Sequence, residues 1–198
     1  HDTDRLLTAL STDIYLRSLS REQQMALSFS ETARSKAPAL EKMLSVLQFS
    51  LPGVPSVYYG DEQGMEGVND PFNRRPFRLG NSDLHAHYRK LVCIRNSCDA
   101  LSTGEIELYA ANRDTLLVLR YIEGGTDAFG DKAENGCFLA VISRKPSAQE
   151  ISFSSCHFSG FDSAEMLLTG SKAEIKDGRL SLSIPPVSGE IIRLGRSE

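Results

Sequence analysis

The chain has 198 residues, a formal net charge of −4, and 40% hydrophobic against 24% charged side chains, which suits one large or two small globular domains rather than a disordered polymer. Its 22 Lys and Arg are scattered without a basic stripe, which argues against a nucleic-acid partner. No apolar run approaches the ~20 residues of a membrane-spanning helix.

Two regimes meet near residue 103. In the first, Leu40, Met43, Leu44, Leu47 and Leu51 repeat with helical spacing, so one apolar helix face is expected, with Ser35 as cap and Pro38 in the first turn. Pro52-Gly53 ends that helix. Pro55-Ser56-Val57-Tyr58-Tyr59 reads as a short buried strand closed by Gly60. Adjacent Tyr58 and Tyr59 should then point to opposite faces. A polar loop follows from Gly60 to Ser82, and then a second helix with Leu84, Tyr88, Leu91 and Val92 on one face, capped by Asn81 or Ser82. Connections of ~20 residues without periodicity are usually functional in a compact domain. This one carries Asp61, Glu62, Glu66, Asp70, Arg74 and Arg75 among the glycines Gly60, Gly64 and Gly67.

The second regime offers seven short strands at 105–110, 116–122, 138–143, 150–154, 164–168, 180–184 and 189–194, separated by turn residues such as Asn112-Arg113-Asp114 and Asp177-Gly178. That pattern predicts an antiparallel β-sandwich. The domain boundary is expected at residues 102/103.

Cys93, Cys98, Cys137 and Cys156 lack any C-x-x-C pair, so buried free thiols in a reducing cytoplasm are expected, with no metal or redox site. His85 and His87 are two apart on a helix and should diverge. His157 has no visible partner. Asp61 and Glu62 read as solvated acids or as partners of a nearby Arg rather than as a catalytic pair.

His1-Asp2-Thr3 with Arg5, then Leu51-Pro52-Gly53-Val54-Pro55-Ser56-Val57-Tyr58-Tyr59-Gly60-Asp61-Glu62, then Gly64-Met65-Glu66-Gly67, then Asp70-Pro71-Phe72-Asn73-Arg74-Arg75-Pro76 form an ordered series. The series resembles α-amylase-type glycoside hydrolases, and within them the neopullulanase, cyclomaltodextrinase and maltogenic amylase branch. The resemblance is specific through about residue 98. It implies that residues 1–102 are the C-terminal part of a catalytic (β/α)8 TIM barrel, namely strand eight and its flanking helices. Residues 103–198 would be the family's antiparallel C-terminal domain.

The resemblance assigns Asp2 as the catalytic carboxylate that holds the substrate's ring hydroxyls and stabilises the transition state. His1 would donate a hydrogen bond to the same sugar, and Asp70 and Arg74 would contact sugars further along the donor side. Arg5 would order the loop that bears the His-Asp pair. The substrate class is an α-glucan oligosaccharide, cleaved or transferred with retention, and no cofactor is implied. The nucleophile Asp and the acid Glu would lie upstream, so the chain alone should be inactive. Strand 57–59 and both helix faces would lack partners, which makes self-association an expectation. Two other readings stand beside this one: a glucanotransferase of the same barrel, and a non-catalytic carbohydrate-binding module, the latter disfavoured by the absence of Trp.

Overall fold

A computed structural model of the chain describes residues 3–197; His1, Asp2 and Glu198 lie outside the described residues. The chain divides into two compact units, one made of the residues up to Lys42 with Ser56–Tyr88, the other of Met43–Pro55 with the residues from Arg89 onward.

The first unit opens with helix α1 (Leu6–Leu10), a 3₁₀ turn at Leu16–Ser18 and helix α2 (Arg21–Met25). A capping box starts α2: Ser20 Oγ accepts the Gln23 N–H, and Gln23 Oε1 accepts the Ser20 N–H. Helix α3 runs from Glu31 to Ser50. It begins earlier than expected because Ser30, not Ser35, accepts the first free amide, Ala33 N–H, at 3.2 Å. Pro38 therefore sits inside the helix, where it offers no amide to the Arg34 carbonyl.

The buried positions of α3 also differ from the leucine stripe. Ala37, Glu41 and Ser45, spaced by four, are essentially inaccessible, whereas Leu40, Leu44 and Leu47 are half-buried. Helix α4 (Ser82–Asn96) is capped by Asn81, whose Oδ1 accepts the Leu84 N–H at 3.0 Å. Leu84, Tyr88 and Leu91 are buried as expected, but Val92 is exposed. It lies one step off the stripe that Arg95 completes.

The expected strand at Pro55–Tyr59 does not form. Residues 54–58 carry no regular structure, and Tyr59 and Gly60 lie in a turn. A strand exists only as part of a ladder, and among the described residues nothing pairs with this segment. The loop beyond it is as long as the sequence suggested, broken only by a 3₁₀ turn at Asp61–Gln63.

The second unit is built on eight antiparallel strands: β1 (Glu105–Asn112), β2 (Thr115–Ile122), β3 (Gly136–Ser143), β4 (Gln149–Ser154), β5 (Ser163–Met166), β6 (Lys172–Lys176), β7 (Arg179–Ile184) and β8 (Ser188–Gly195). Their order is β1-β2-β3-β8-β5-β6-β7-β4. The two ends of this order meet. Asn112 of β1 donates to Gln149 Oε1 of β4 at 2.9 Å, and the Tyr109 and Phe153 rings sit 4.9 Å apart. The antiparallel expectation holds, with β6 as an eighth strand beyond the seven read from the sequence.

Strand β6, Lys-Ala-Glu-Ile-Lys, buries only Ile175 fully, so its alternation was faint. The Asp177-Gly178 turn beside it takes positive φ at both residues (52° and 68°), the backbone a two-residue hairpin requires. The inner core gathers Leu117, Leu139, Val141, Phe158, Leu180, Leu182 and Ile192. The opposite face of β2, β3 and β8 is also buried, at Val118, Ala140, Ile142 and Ile191. Burial on both faces accords with the nearly continuous apolar sequences of β2 (TLLVLRYI) and β3 (GCFLAVIS). The last turns of α3 cover that face, and a Cβ at Gly189 would come within 2.8 Å of Val46. Short helix α5 (Asp99–Ser102) packs on β2 and β3.

Candidate functional site

The motif residues of the first unit converge on one buried cation. Arg5 is 1% exposed. Its Nε donates to the Asn73 carbonyl at 2.9 Å, and its Nη1 donates to the Tyr59 carbonyl at 2.7 Å and to Asp61 Oδ1 at 3.1 Å. Tyr58 and Tyr59 both flank the guanidinium, each ring centroid 4.7 Å from Cζ. The expected split of the two tyrosines to opposite faces fails because the segment is not a strand. The planar, always-charged fork of Arg suits this task, since it can bind several carbonyls while two rings lie against it. Arg5 thus fastens the 58–61 turn and the 73 loop to the segment that follows Asp2.

The loop itself is drawn inward by glycine. The Gly67 N–H donates to Thr8 Oγ1 at 2.8 Å, and its carbonyl accepts the Arg5 N–H at 2.9 Å. A Cβ at Gly67 would stand 2.5 Å from the Phe72 carbonyl oxygen. At the far end, buried Gln63 accepts the Asn81 N–H on its carbonyl and the Gly80 N–H on Oε1, which joins the loop to the start of α4.

Asp70 and Arg74 are brought together as an ion pair, Nε to Oδ1 at 2.8 Å, with both side chains about half exposed. A pair so open contributes little stability. His1 and Asp2 lie outside the described residues. Asp61 pairs with Arg5 as the sequence suggested, and Glu62 turns back to accept the Gly60 N–H at 2.8 Å. Burial raises the Asp61 carboxyl above its ordinary range despite the cation beside it.

One acid was missed by the sequence reading. Glu41 on α3 is fully buried and accepts a hydrogen bond from the Tyr88 hydroxyl at 3.3 Å. Its Oε2 has no hydrogen-bond partner among the described residues. Burial first, and then the charge of Asp61, push its carboxyl up to about 8. The group is therefore largely protonated near neutral pH, consistent with a carboxylic acid kept out of water.

The remaining histidines do not join this cluster. His85 Nδ1 meets Gln63 Nε2 at 2.8 Å, while His87 Nε2 meets the Lys42 carbonyl. In the second unit His157 has two partners that the sequence did not reveal, Glu123 at Nδ1 (2.8 Å) and Glu107 at Nε2 (3.2 Å), and it stacks on Tyr121. Those carboxylates are 34 and 50 residues away, beyond any local signal. All four cysteines are free, but only Cys137 is buried, a correction to the expectation of buried thiols; burial pushes its thiol up to about 12.

No family model matches the chain. An amylopullulanase of Thermoanaerobacter thermohydrosulfuricus is 33% identical over 198 residues, which cover 97% of this chain and 12% of that protein. A cyclomaltodextrinase of Geobacillus thermopakistaniensis (strain MAS1) is 28% identical over 194 residues, covering 94% of this chain and 26% of the relative. The chain belongs to the α-amylase family. A solved cyclomaltodextrinase structure has the same fold over 98% of this chain and 28% of its own, at 20% identity and a TM-score of 0.71. This α-amylase-family chain thus spans between an eighth and about a quarter of the length of these curated relatives. In that setting the Arg5 cluster acquires a meaning: it binds the HDTxR, YYGDE, GMEG and DPxxRR segments, distant in sequence, into one network.

Proposed function

We propose that the chain is the closing part of a glycosidase that hydrolyses or transfers α-glucosidic bonds of maltodextrin, starch or cyclodextrin with retention of configuration. In this reading residues 1–102 complete a (β/α)8 barrel and residues 103–198 form its β-sandwich neighbour. Asp2 holds the ring hydroxyls as the sugar flattens toward an oxocarbenium ion, and His1 hydrogen-bonds the same ring. Asp70 and Arg74 bind the next sugars on the donor side.

The observation that carries the reading is the alignment of 97% of the chain with an amylopullulanase, its four motifs in order. Two features of the first unit support it. Val57, Tyr59, Phe77 and Leu79 are exposed apolar groups, the state of a barrel wall whose neighbours are not in this chain. The isolated chain should bury them by self-association. The segment 54–58, which carries no regular structure, has the length of a strand and would form one once a partner strand is beside it.

Retaining hydrolysis needs a nucleophile and an acid about 5–5.5 Å apart across the scissile bond. Both are assigned upstream of His1. The test is to incubate the isolated chain and the full-length enzyme with cyclodextrin, pullulan and starch. Reducing sugar is expected from the full-length enzyme alone, and Asp2→Asn there should lower kcat by about 10³-fold or more. Sustained release by the isolated chain, unaffected by Asp2→Asn, would refute the proposal.

A further inference from the structure

We infer that a cleft in the second unit is a non-catalytic binding site for a short α-glucan, an inference that rests on the substrate class proposed above. The cleft has a volume of about 810 Å³, within the ~300–1,000 Å³ of small-molecule sites. It is lined by the end of β2, the start of β3, the end of β8, helix α5 and the stretch 156–161 that follows β4. None of these belongs to the motif series of the first unit.

Internal contacts set the lining in place. His157 stacks on Tyr121, ring centroids 3.8 Å apart, and its two ring nitrogens reach Glu123 and Glu107. Glu123 is thereby fixed at the cleft. Strand pairing sets Phe138 opposite Arg193. Asp99 Oδ2 accepts the Glu134 N–H at 2.9 Å, and Asn135 Oδ1 accepts the Gly125 N–H at 2.7 Å. These two bonds tie the residues before β3 to α5 and to the loop after β2. A site so preorganised loses little binding energy to ordering.

The polar groups select the ligand. His157 is partnered by Glu123 and Glu107, and Arg193 by Glu165. Arg196 commits only Nε, to the Gly160 carbonyl at 2.9 Å, so its Nη groups remain as donors. Asn135 Nδ2 is a further donor, and the exposed Glu134 carboxylate is an acceptor. With the partners included, the carboxylates of Asp99, Glu107, Glu123, Glu134 and Glu165 outnumber the cations His157, Arg193 and Arg196. That excess turns away phosphate and other anions, while the Arg196 guanidinium works against a cationic guest. A neutral ligand rich in hydroxyls meets donors and acceptors together. Ile122, Phe161 and Leu194 offer apolar contact to the C–H faces of a sugar ring. The chain has no Trp, so the stacking surface is small and affinity in the millimolar range is expected.

The test is hydrogen–deuterium exchange of the 198-residue chain, read peptide by peptide with maltotriose, cellotriose or sodium phosphate as probe. Maltotriose is expected to slow exchange in peptides spanning 122–138 and 155–161, and the other two probes are not. Arg196→Ala should raise the maltotriose concentration for half-maximal protection about 10-fold, through loss of a charge-assisted hydrogen bond. Arg196 is exposed, so the variant should fold. If its far-UV circular dichroism is lost, Glu134→Gln, also at an exposed position, carries the test with the same expected direction. Absence of protection in those peptides, an unchanged half-maximal concentration in a folded variant, or equal protection by cellotriose or phosphate would overturn the inference. Turnover of starch, pullulan and cyclodextrin by the full-length enzyme is measured alongside. With turnover present and these peptides unprotected, this inference alone falls. With turnover absent, the proposed function falls, and the α-glucan assigned to the cleft falls with it.

Discussion

Arg120 offers a sharp test of how the second unit is held together. The side chain is 0% exposed on β2. It donates from Nη1 to the Ser50 carbonyl at 2.9 Å, from Nη2 to the Gly104 carbonyl at 2.9 Å, and from Nε to the Glu105 carbonyl at 3.2 Å. Burial, and then the nearby Arg95 cation, lower its guanidinium from 12.5 to about 10. At ~1.4 kcal/mol per pH unit, keeping this charge buried costs roughly 3 kcal/mol. Arg120→Met recovers that cost and keeps most of the volume. It also strands three carbonyls, each at about 1–3 kcal/mol, or roughly 6 kcal/mol together. The carbonyl loss wins, and the variant should be less stable by about 3 kcal/mol, as read from urea unfolding followed by far-UV circular dichroism. Arg120→Lys, which keeps the charge but not the fork, should fall between. A Met variant as stable as the parent, or more so, would refute the reasoning. It would mean that the burial of charge dominates, as it does where buried ion clusters tolerate apolar replacement.

Two further predictions follow from titrating groups. Glu41, held up to about 8 against 4.5 when unfolded, contributes stability that is full below pH 4.5 and lost as pH rises through about 8. Glu41→Gln should therefore match the parent near pH 4.5 and exceed its stability at pH 8 by about 4 kcal/mol; parallel pH curves would argue against a buried neutral acid. For His157, burial lowers the imidazole pKa, but the hydrogen bonds its ring donates to Glu123 and Glu107, with their negative charges, outweigh it and raise the net value above 6.5. The latch it makes between β1 and the residues after β4 should hold below about pH 6.5 and weaken as pH climbs through the raised value. His157→Gln should remove ~1 kcal/mol of that pH-dependent stability, checked by thermal midpoints between pH 5.5 and 8.5.

The helices α3 and α4, the long loop and seven of the eight strands were legible because each depends on local spacing, caps and turn chemistry. Asn81 capping α4 and the Asp177-Gly178 turn are of this kind. Strand β6 escaped because its side chains are mostly charged and solvent-facing, so the period-2 signal rests on Ala173 and Ile175 alone. The segment 55–59 was misread for the opposite reason: its composition suits a buried strand, but composition cannot supply the neighbour that makes one. At the site, the motifs named several separate stretches of chain. They did not reveal that Arg5, Gly67 and Asn73 hold those stretches together, because the partners lie 54 to 70 residues apart.

Sequence alone marked out helices α3 and α4 and seven of the eight strands, and its motif series marked out the α-amylase family. Tertiary structure alone decided which polar groups become buried partners: Arg5 between two tyrosines, Glu41 beneath Tyr88, Arg120 on three carbonyls, His157 between two glutamates. The reason is physical. Helical and strand periodicity are encoded by neighbours a few residues apart. Desolvation of a charge, and the hydrogen bonds that make it tolerable, depend on residues that meet only after the chain has folded.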